Sequence, residues 1–380
     1  MKDKVRENEV VTGPVNSGRR GRLAGAMLLA LGFSIALCRA DQDQPGKYVQ
    51  TNLVSDQQGV AVLQDTNLVN AWGISSSPNS PFWVSANGTG LAVLYAVTYN
   101  QGVVQVAKPT LEVTIPGEGN PTGQLFDGTS SFNGDIFIFA SEDGTISGWK
   151  GSLGKTAEVL VPGGSAVYKG IAMVTTDKGP MLLAANFANG TLDAFGTDLK
   201  LAGQFSDPHA PFGYAPFNVQ VIANTVFVTF AKQDAQKHDD VAGPGHGLID
   251  TFNPNTMKFR RFAAGSDAGG HLRAINSPWG LALAPQGFGR HADQLLVGNF
   301  GSGTIMAFES DGEFKGLLKG VHEGPIVIDG LWGLKFGNDG NGGRSSTLYF
   351  TAGPDDESHG LFGSLDPATK NHHNNQDDDD

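Results

Sequence analysis

A short pattern that recurs six times constrains the fold of this chain more than any other feature. Residues 298–308 read GNFGSGTIMAF and residues 185–195 read ANFANGTLDAF, so two short strands flank a glycine turn and the second closes on an aromatic residue. A period of roughly 50 residues built from short strands is typical of β-propeller blades, whereas leucine-rich and helical repeats are shorter. The turn glycines of the six copies are Gly90, Gly144, Gly190, Gly247, Gly303 and Gly360.

A second motif precedes each copy and predicts the innermost strand of each blade. It reads Trp-Gly-Ile or Trp-Gly-Leu at 72–74, 279–281 and 332–334, and Gly-Ile-Ala or Asn-Val-Gln at 170–172 and 218–220, while the stretch near Gln124 matches poorly. Glycine in such a strand allows six backbones to crowd around one channel. The 53 glycines and the charged content of 17% also favour many short strands joined by tight turns. The sequence therefore predicts an all-β, six-bladed β-propeller.

The ends of the repeat region predict how the ring closes. The sixth copy runs out at residues 365–367, where its fourth strand should begin, and residues 48–54 form a strand-like run ahead of the first blade. An N-terminal strand that joins the last blade would close the ring and cover an exposed edge. We expect the propeller to occupy residues 41–370 and the polar, acidic residues 371–380 to form a disordered tail.

The first forty residues have the pattern of an export segment. A basic cluster at residues 19–22 precedes an apolar run at residues 23–37, which is short for a membrane span and is followed by Ala40. A cleaved signal peptide, residues 1–40, is the main prediction, by either the general secretory or the twin-arginine route. A lipid-modified Cys38 and an uncleaved membrane anchor are alternatives. We expect a periplasmic or extracellular protein, membrane-anchored only if the segment is retained.

The charge balance limits the partners of the chain. Its formal net charge is −12, and removal of the basic N-terminal segment makes the remainder more acidic. Such a surface repels phosphate backbones, so nucleic acid is not an expected partner. Cleavage would also remove the only cysteine, so a mature, monomeric propeller would depend on core packing rather than on a disulfide.

Several segments carry a family resemblance. Residues 276–282, NSPWGLA, look like the start of an NHL repeat, and residues 70–74, 215–220, 231–234 and 296–300 together resemble a group of uncharacterised secreted bacterial propeller proteins. The resemblance implies a six-bladed propeller and export, and it transfers no catalytic residue. Wider relatives of that fold include gluconolactonase-like hydrolases, strictosidine-synthase-like enzymes and binding modules.

Oxygen-bearing side chains near the starts of the inner strands suggest a metal site. Asn70, Asn276 and Asp329 precede the inner glycines of their blades, and Asn218 replaces that glycine in the fourth blade. Convergent Asn and Asp oxygens suit a hard cation such as Ca²⁺, and the set is similar to the metal site of gluconolactonase-like hydrolases, although no glutamate completes it. The alternative interpretation is that each side chain caps the turn that leads into its strand.

Three histidines form a second candidate set. His209, His271 and His322 precede the inner strands of the fourth, fifth and sixth blades by similar distances along the chain. Three imidazoles with one open coordination position would suit a catalytic zinc ion. The alternative is that they are ordinary histidines of surface loops.

Two loops depart from the repeat. The insertion between Lys232 and Gly247 carries several charged residues and would form either a lid over the channel mouth or a mobile excursion. Residues 338–342, NDGNG, resemble part of a calcium loop but lack its downstream glutamate, and a plain turn is the alternative. No serine elbow, phosphate loop, dinucleotide fingerprint or His-Glu-x-x-His motif occurs.

These observations lead to two hypotheses. The first is a non-catalytic propeller that binds a small molecule, a glycan or another exported protein. The second is a metal-dependent hydrolase or lyase, with calcium or zinc, that acts at the channel mouth. Fold alone does not decide between them, because propellers host both kinds of protein.

Overall fold

The computed structural model describes residues 46–265, 274–322 and 324–368. The predicted export segment and the predicted tail lie outside these residues. The described chain is all-β: no α-helix occurs in these ranges, and short 3₁₀ turns lie at Asn87–Thr89, Gly151–Leu153 and Gly289–His291. Among the described residues no helix is long and apolar enough to cross a membrane.

The strands form six sheets, one for each blade. The first two strands of the described chain, β1 (Tyr48–Ser55) and β2 (Leu63–Gln64), belong to the last blade. Blade 1 consists of β3 (Ala71–Ser75), β4 (Phe82–Ala86), β5 (Leu91–Asn100), β6 (Val103–Ala107) and β7 (Glu112–Thr114). Blade 2 consists of β8 (Pro121–Phe126), β9 (Phe137–Ser141), β10 (Ile146–Trp149) and β11 (Glu158–Val161).

The next three blades repeat the same antiparallel order from the channel outward. Blade 3 consists of β12 (Tyr168–Thr176), β13 (Gly179–Asn186), β14 (Thr191–Phe195) and β15 (Leu201–Phe205). Blade 4 consists of β16 (Tyr214–Ile222), β17 (Thr225–Lys232), β18 (Gly247–Asn253) and β19 (Lys258–Ala264). Blade 5 consists of β20 (Pro278–Leu283), β21 (Leu295–Asn299), β22 (Ile305–Phe308) and β23 (Phe314–Leu317).

Blade 6 closes the ring as predicted. Its own strands are β24 (Leu331–Phe336), β25 (Leu348–Ala352) and β26 (Leu361–Pro367), and β1 adds the fourth strand. The pairing of β1 with β26 is antiparallel, from Tyr48 opposite Pro367 to Ser55 opposite Leu361. The last blade is therefore built from both ends of the propeller, and the edge of β26 is covered.

Apolar side chains fill the spaces between successive blades. The cluster between blades 1 and 2 contains Trp83 stacked on Phe137, with ring centroids 4.1 Å apart, and every other pair of neighbouring blades shares a similar cluster. The inner strands approach one another closely because of the predicted glycines. A Cβ on Gly123 would lie 2.7 Å from the Cα of Gly170, and a Cβ on Gly73 would collide with the carbonyl oxygen of Thr122.

Candidate functional site

The inner strands define two ends of the central channel. Equivalent positions of neighbouring inner strands lie side by side, as at Gly123 and Gly170, so the strands β3, β8, β12, β16, β20 and β24 run in the same direction. We call the end where they begin the upper mouth and the end where they finish the lower mouth. The loops that enter the inner strands and the turns between the second and third strands of each blade lie at the upper mouth.

One layer of side chains crosses the channel near the upper mouth. Each inner strand contributes the residue just before its repeated glycine position, which is Asn218 in blade 4, and all six are buried. Trp72 stacks on Trp332 at 3.8 Å, Phe300 stacks on the other side of Trp332 at 3.9 Å, and Trp279 meets Trp332 edge-on. We call this set the aromatic layer: Trp72, Thr122, Lys169, Phe217, Trp279 and Trp332.

Lys169 is the charged member of the aromatic layer. Its side chain is 2% exposed, and its ammonium lies 5.1 Å from the ring centroid of Trp72. The ammonium donates to Glu142 at 2.5 Å and to Asp239 at 3.0 Å. Burial alone would lower the pKa of Lys169, but the charges of the two carboxylates outweigh it and raise the pKa. Lys169 is therefore a permanent buried cation held by two acids.

Asn70 connects the aromatic layer to this ion cluster. Its Nδ2 donates to Glu357 Oε2 at 2.5 Å and to Asn87 Oδ1 at 3.2 Å, and its Oδ1 accepts from the indole nitrogen of Trp332 at 3.0 Å. Asn87 in turn donates to Glu142 at 3.0 Å. A continuous polar network thus lies above the aromatic layer. We call it the mouth cluster: Asn70, Asn87, Glu142, Lys169, Asp239 and Glu357.

Glu357 reaches the mouth cluster from a strained turn. The three consecutive residues Asp355, Asp356 and Glu357 have φ values of 54°, 52° and 65°, a left-handed turn without glycine. Asp329 accepts from the backbone N–H of Asp355 at one end, and Asp56 accepts from Gly360 at the other. Strain of this kind persists where the surroundings enforce it and is common at functional sites.

Burial strongly perturbs the pKa of the Glu357 carboxyl in the mouth cluster. Burial raises its pKa to about 7 from the ordinary 4.5, and the charge of Lys169 and the hydrogen bond from Asn70 only partly offset this effect. The neighbouring carboxylate of Glu142 adds to the increase. Glu357 therefore exchanges a proton near neutral pH, whereas Lys169 stays charged.

The insertion of blade 4 folds back over the upper mouth. Asp234 and Asp239 pair through their backbones, and the backbone N–H of Gly243 donates to Asn276. This fold brings Asp239 to Lys169 and His238 beside Asp239, at 3.0 Å. Of the two interpretations of the insertion, the structure agrees with a segment that covers the mouth.

The four side chains predicted as oxygen ligands make different hydrogen bonds in different parts of the structure. Asn70 belongs to the mouth cluster, whereas Asn218 donates to the carbonyl of Trp279 at 2.8 Å and so joins two inner strands. Asn276 accepts from the insertion, and the exposed Asp329 caps the left-handed turn. Each side chain already accepts a hydrogen bond, and calcium binding by the four remains a prediction.

The two predicted histidines within the described residues do not enter the mouth cluster. His209 and His322 are exposed, and His271 lies outside the described residues. The described carboxylates and imidazoles close enough to share a metal ion are instead Glu142, His238 and Asp239, whose donor atoms lie within 4.8 Å of one another. Lys169 already neutralises two of these three groups, so a metal ion there would compete with its ammonium.

Sequence reasoning missed Lys169, Glu142 and Glu357. The sequence pattern could have identified Lys169, because it stands directly before Gly170, at the position that tryptophan occupies in three other inner strands. Glu142 and Glu357 come from equivalent turns between second and third strands, close before the turn glycines Gly144 and Gly360. The left-handed conformation of the turn that carries Glu357 has no recognisable pattern in the sequence.

A cavity occupies the channel below the aromatic layer. Its volume is about 480 Å³, and its wall extends from Trp279 to the lower ends of the inner strands. Apolar side chains such as Ile74, Leu125 and Met173 make up much of the wall. This size is typical of small-molecule pockets.

Comparison with known proteins reveals sequence relatives without a described activity. No family model matches the chain. Two uncharacterised proteins of Acanthamoeba polyphaga mimivirus are each 28% identical to it, over 335 and 331 residues, which is 82% of this chain and 78% and 84% of theirs. A third from the same virus is 30% identical over 208 residues, 52% of this chain and 37% of its own length. These relatives are viral, whereas the sequence resemblance had pointed to bacterial proteins, and no NHL-repeat family is shown.

Solved structures share the propeller architecture. Virginiamycin B lyase from Staphylococcus aureus is 11% identical, with a TM-score of 0.49 over 84% of this chain and 99% of the lyase. The Pan2 WD40 domain of Neurospora crassa is 11% identical, with a TM-score of 0.46 over 84% of this chain and 96% of that domain. Likenesses this distant carry no argument about chemistry.

Proposed function

We propose that this propeller binds a small molecule in its central channel. The observation that carries the proposal is the cavity of about 480 Å³ between the aromatic layer and the lower mouth. A concave, mainly apolar site with a few polar groups is the usual form of a small-molecule site. A glycan needs a more polar wall and a protein partner needs a broad surface, so the cavity favours the small molecule among the three ligands considered from the sequence.

A fluorescent probe that responds to apolar surroundings tests this proposal. Phenylnaphthylamine is neutral, fits the cavity dimensions and brightens when it leaves water. We expect it to bind the purified protein at one site and to lose binding in Met173→Trp, because the larger ring fills the cavity beside the wall. Val103→Trp is the matched control, since Val103 is 61% exposed on the outer strand β6. Equal binding by both variants would refute a channel site.

A second candidate function is proton-transfer catalysis at the upper mouth, as in a hydrolase or lyase. The observation that favours it is Glu357, a partly exposed carboxyl with a pKa of about 7, held by Asn70 on a strained turn. A group that titrates near the working pH is suited to act as a general acid or base. In this role Glu357 would take a proton from a substrate or from water and return it, while Lys169 and Asn70 hold the network in place.

A panel of lactones and esters tests the second candidate. Turnover should follow an ionisation near neutral pH and should be lost in Glu357→Gln, while Asp356→Asn, which changes an exposed carboxylate on the same turn, should retain it. Activity that survives Glu357→Gln would rule this role out.

The metal-dependent form of this candidate is a separate proposal. The side chains of Asn70, Asn218, Asn276 and Asp329 each already accept a hydrogen bond within the protein, and a cation bound to Glu142 and Asp239 would compete with Lys169. Mass-spectrometric elemental analysis of the dialysed protein tests it. Near-stoichiometric calcium or zinc would support it, and a metal-free folded protein would exclude it. Export to the periplasm or the exterior likewise stays a proposal.

A further inference from the structure

The polar side chains of the cavity wall are engaged by the propeller itself. Gln124 donates to the carbonyls of Gly73 and Trp83, and its Oε1 accepts from Ser75 at 2.9 Å. Gln220 donates to the carbonyl of Leu281 at 2.8 Å. These hydrogen bonds, like that of Asn218, join neighbouring blades and engage donor groups of the three amides.

Lys335 is different from the other polar groups of the wall. It is the one charged residue among the described residues that line the cavity, and it lies on β24 near the lower mouth. Its ammonium makes no ion pair and no hydrogen bond with any residue in the described ranges, in contrast to Lys169 at the other end of the channel. A partly buried cation without a counter-charge is costly unless something else supplies the charge.

The cavity that Lys335 lines has many apolar side chains in its wall. Leu125, Phe126 and Leu283 line it, while Leu334 and Phe336, which flank Lys335 on β24, pack into the core between blades 5 and 6. A ligand that reaches Lys335 from within the channel therefore has an apolar wall behind it and a single positive charge at its end.

We infer that the cavity takes an amphipathic anion, with an apolar body in the channel and one carboxylate or sulfonate paired with Lys335. This inference rests on the proposed channel binding and adds the chemical class of the ligand. Charge complementarity carries it: the wall offers one unpaired cation and, among its described residues, no anion. A charge-assisted hydrogen bond from an ammonium to an anion is about twice as strong as a neutral one.

The acidity of Lys335 is coupled to the binding of an anion. Burial lowers the pKa of Lys335 below the ordinary 10.5, and no acidic group among the described residues offsets this effect. An anion beside the ammonium would raise the pKa again, so binding of the anion and retention of the proton favour each other. Affinity for an anion should therefore weaken as the pH rises and Lys335 loses its proton.

Two probes with the same aromatic body separate this inference from the proposed function. Phenylnaphthylamine is neutral, and anilinonaphthalenesulfonate adds one sulfonate. In Lys335→Met, which keeps the length of the side chain and removes its charge, we expect the sulfonate to bind about tenfold or more weakly. The neutral probe should bind Lys335→Met as well as it binds the wild type.

Two control variants separate the charge of Lys335 from other effects of substitution. Lys335→Arg should retain sulfonate binding, and Lys319→Met, which removes an exposed lysine that makes no ion pair among the described residues, should leave both probes unaffected. If both probes bind Lys335→Met as they bind the wild type, the anion inference is overturned and channel binding stands. If neither probe binds the wild type, or if Met173→Trp binds both, channel binding and the inference fail together.

Discussion

Replacement of Glu357 by glutamine should change how the stability of the protein depends on pH. The glutamine keeps an oxygen that accepts from Asn70 Nδ2 but cannot ionise. In the wild type, burial raises the pKa of Glu357 to about 7. A carboxyl whose folded-state pKa is raised favours folding while protonated, so its contribution is present below the unfolded-state value and is lost as the pH rises through about 7.

The size of this stability change follows from the folded-state and the ordinary pKa of Glu357. A rise in the pKa from 4.5 to about 7 means that ionising Glu357 costs roughly 3 kcal/mol more in the folded protein than in the unfolded chain. Glu357 keeps partial contact with solvent, and screening reduces this figure to about 1–2 kcal/mol. Glu357→Gln should therefore have nearly the same free energy of unfolding as the wild type at about pH 4 and should be about 1–2 kcal/mol more stable at about pH 9.

Urea denaturation followed by tryptophan fluorescence measures this difference at each pH. Other buried acids also titrate in this range, since burial raises the pKa of Asp250 to about 7 and that of Asp135 to about 6. They are present in both proteins and cancel in the comparison. Asp356→Asn is the control, because its exposed carboxylate on the same turn should add no such pH dependence. A free-energy gap between Glu357→Gln and the wild type that is the same at both pH values would refute the assigned acidity.

Three further perturbations test the packing around the channel, each by urea or thermal unfolding. Lys169→Met should destabilise the fold by about 3 kcal/mol, because it leaves two carboxylates without their cation, and an added Glu142→Gln should restore part of the loss; no loss would contradict the ion cluster. Gly73→Ala should cost about 1–3 kcal/mol through the clash with Thr122, while Gly151→Ala, with open space around it, should cost little; equal effects would contradict the close approach. Asp356→Val should cost about 1–2 kcal/mol and Asp356→Gly should not, since only the former resists a positive φ; equal stability would contradict the left-handed turn.

The architecture was predictable because the repeat is local. Each copy carries its own turn glycine, and most copies carry an inner-strand glycine, so the blades could be counted without knowledge of their arrangement. The closing strand could also be predicted, because a sixth blade that ends at Pro367 lacks a strand and residues 48–54 supply one. Even blade 2, where the motif near Gln124 is poor, has its inner strand at the predicted place.

The mouth cluster was predictable only in part because it depends on long-range contacts. Asn70 was identified from its position before an inner strand, but its partner Glu357 comes from another blade, as does Glu142, which it reaches through Asn87. The turn that carries Glu357 is held by Asp329 and Asp56, which are remote from each other in sequence. The similar positions of Asn70, Asn276 and Asp329 suggested a shared task, whereas in the structure each makes a different hydrogen bond.

The pairing of β1 with β26 has a consequence for how the protein is made. During synthesis β1 leaves the ribosome before the other propeller strands, and its antiparallel partner β26 becomes available only when the final blade has been translated. Until then an incomplete arc of blades has an unpaired strand edge at each end. Either edge can pair with a strand of a neighbouring chain. A nonsense mutation or a proteolytic cut that removes β26 would thus leave an arc prone to association, rather than a smaller, self-sufficient ring.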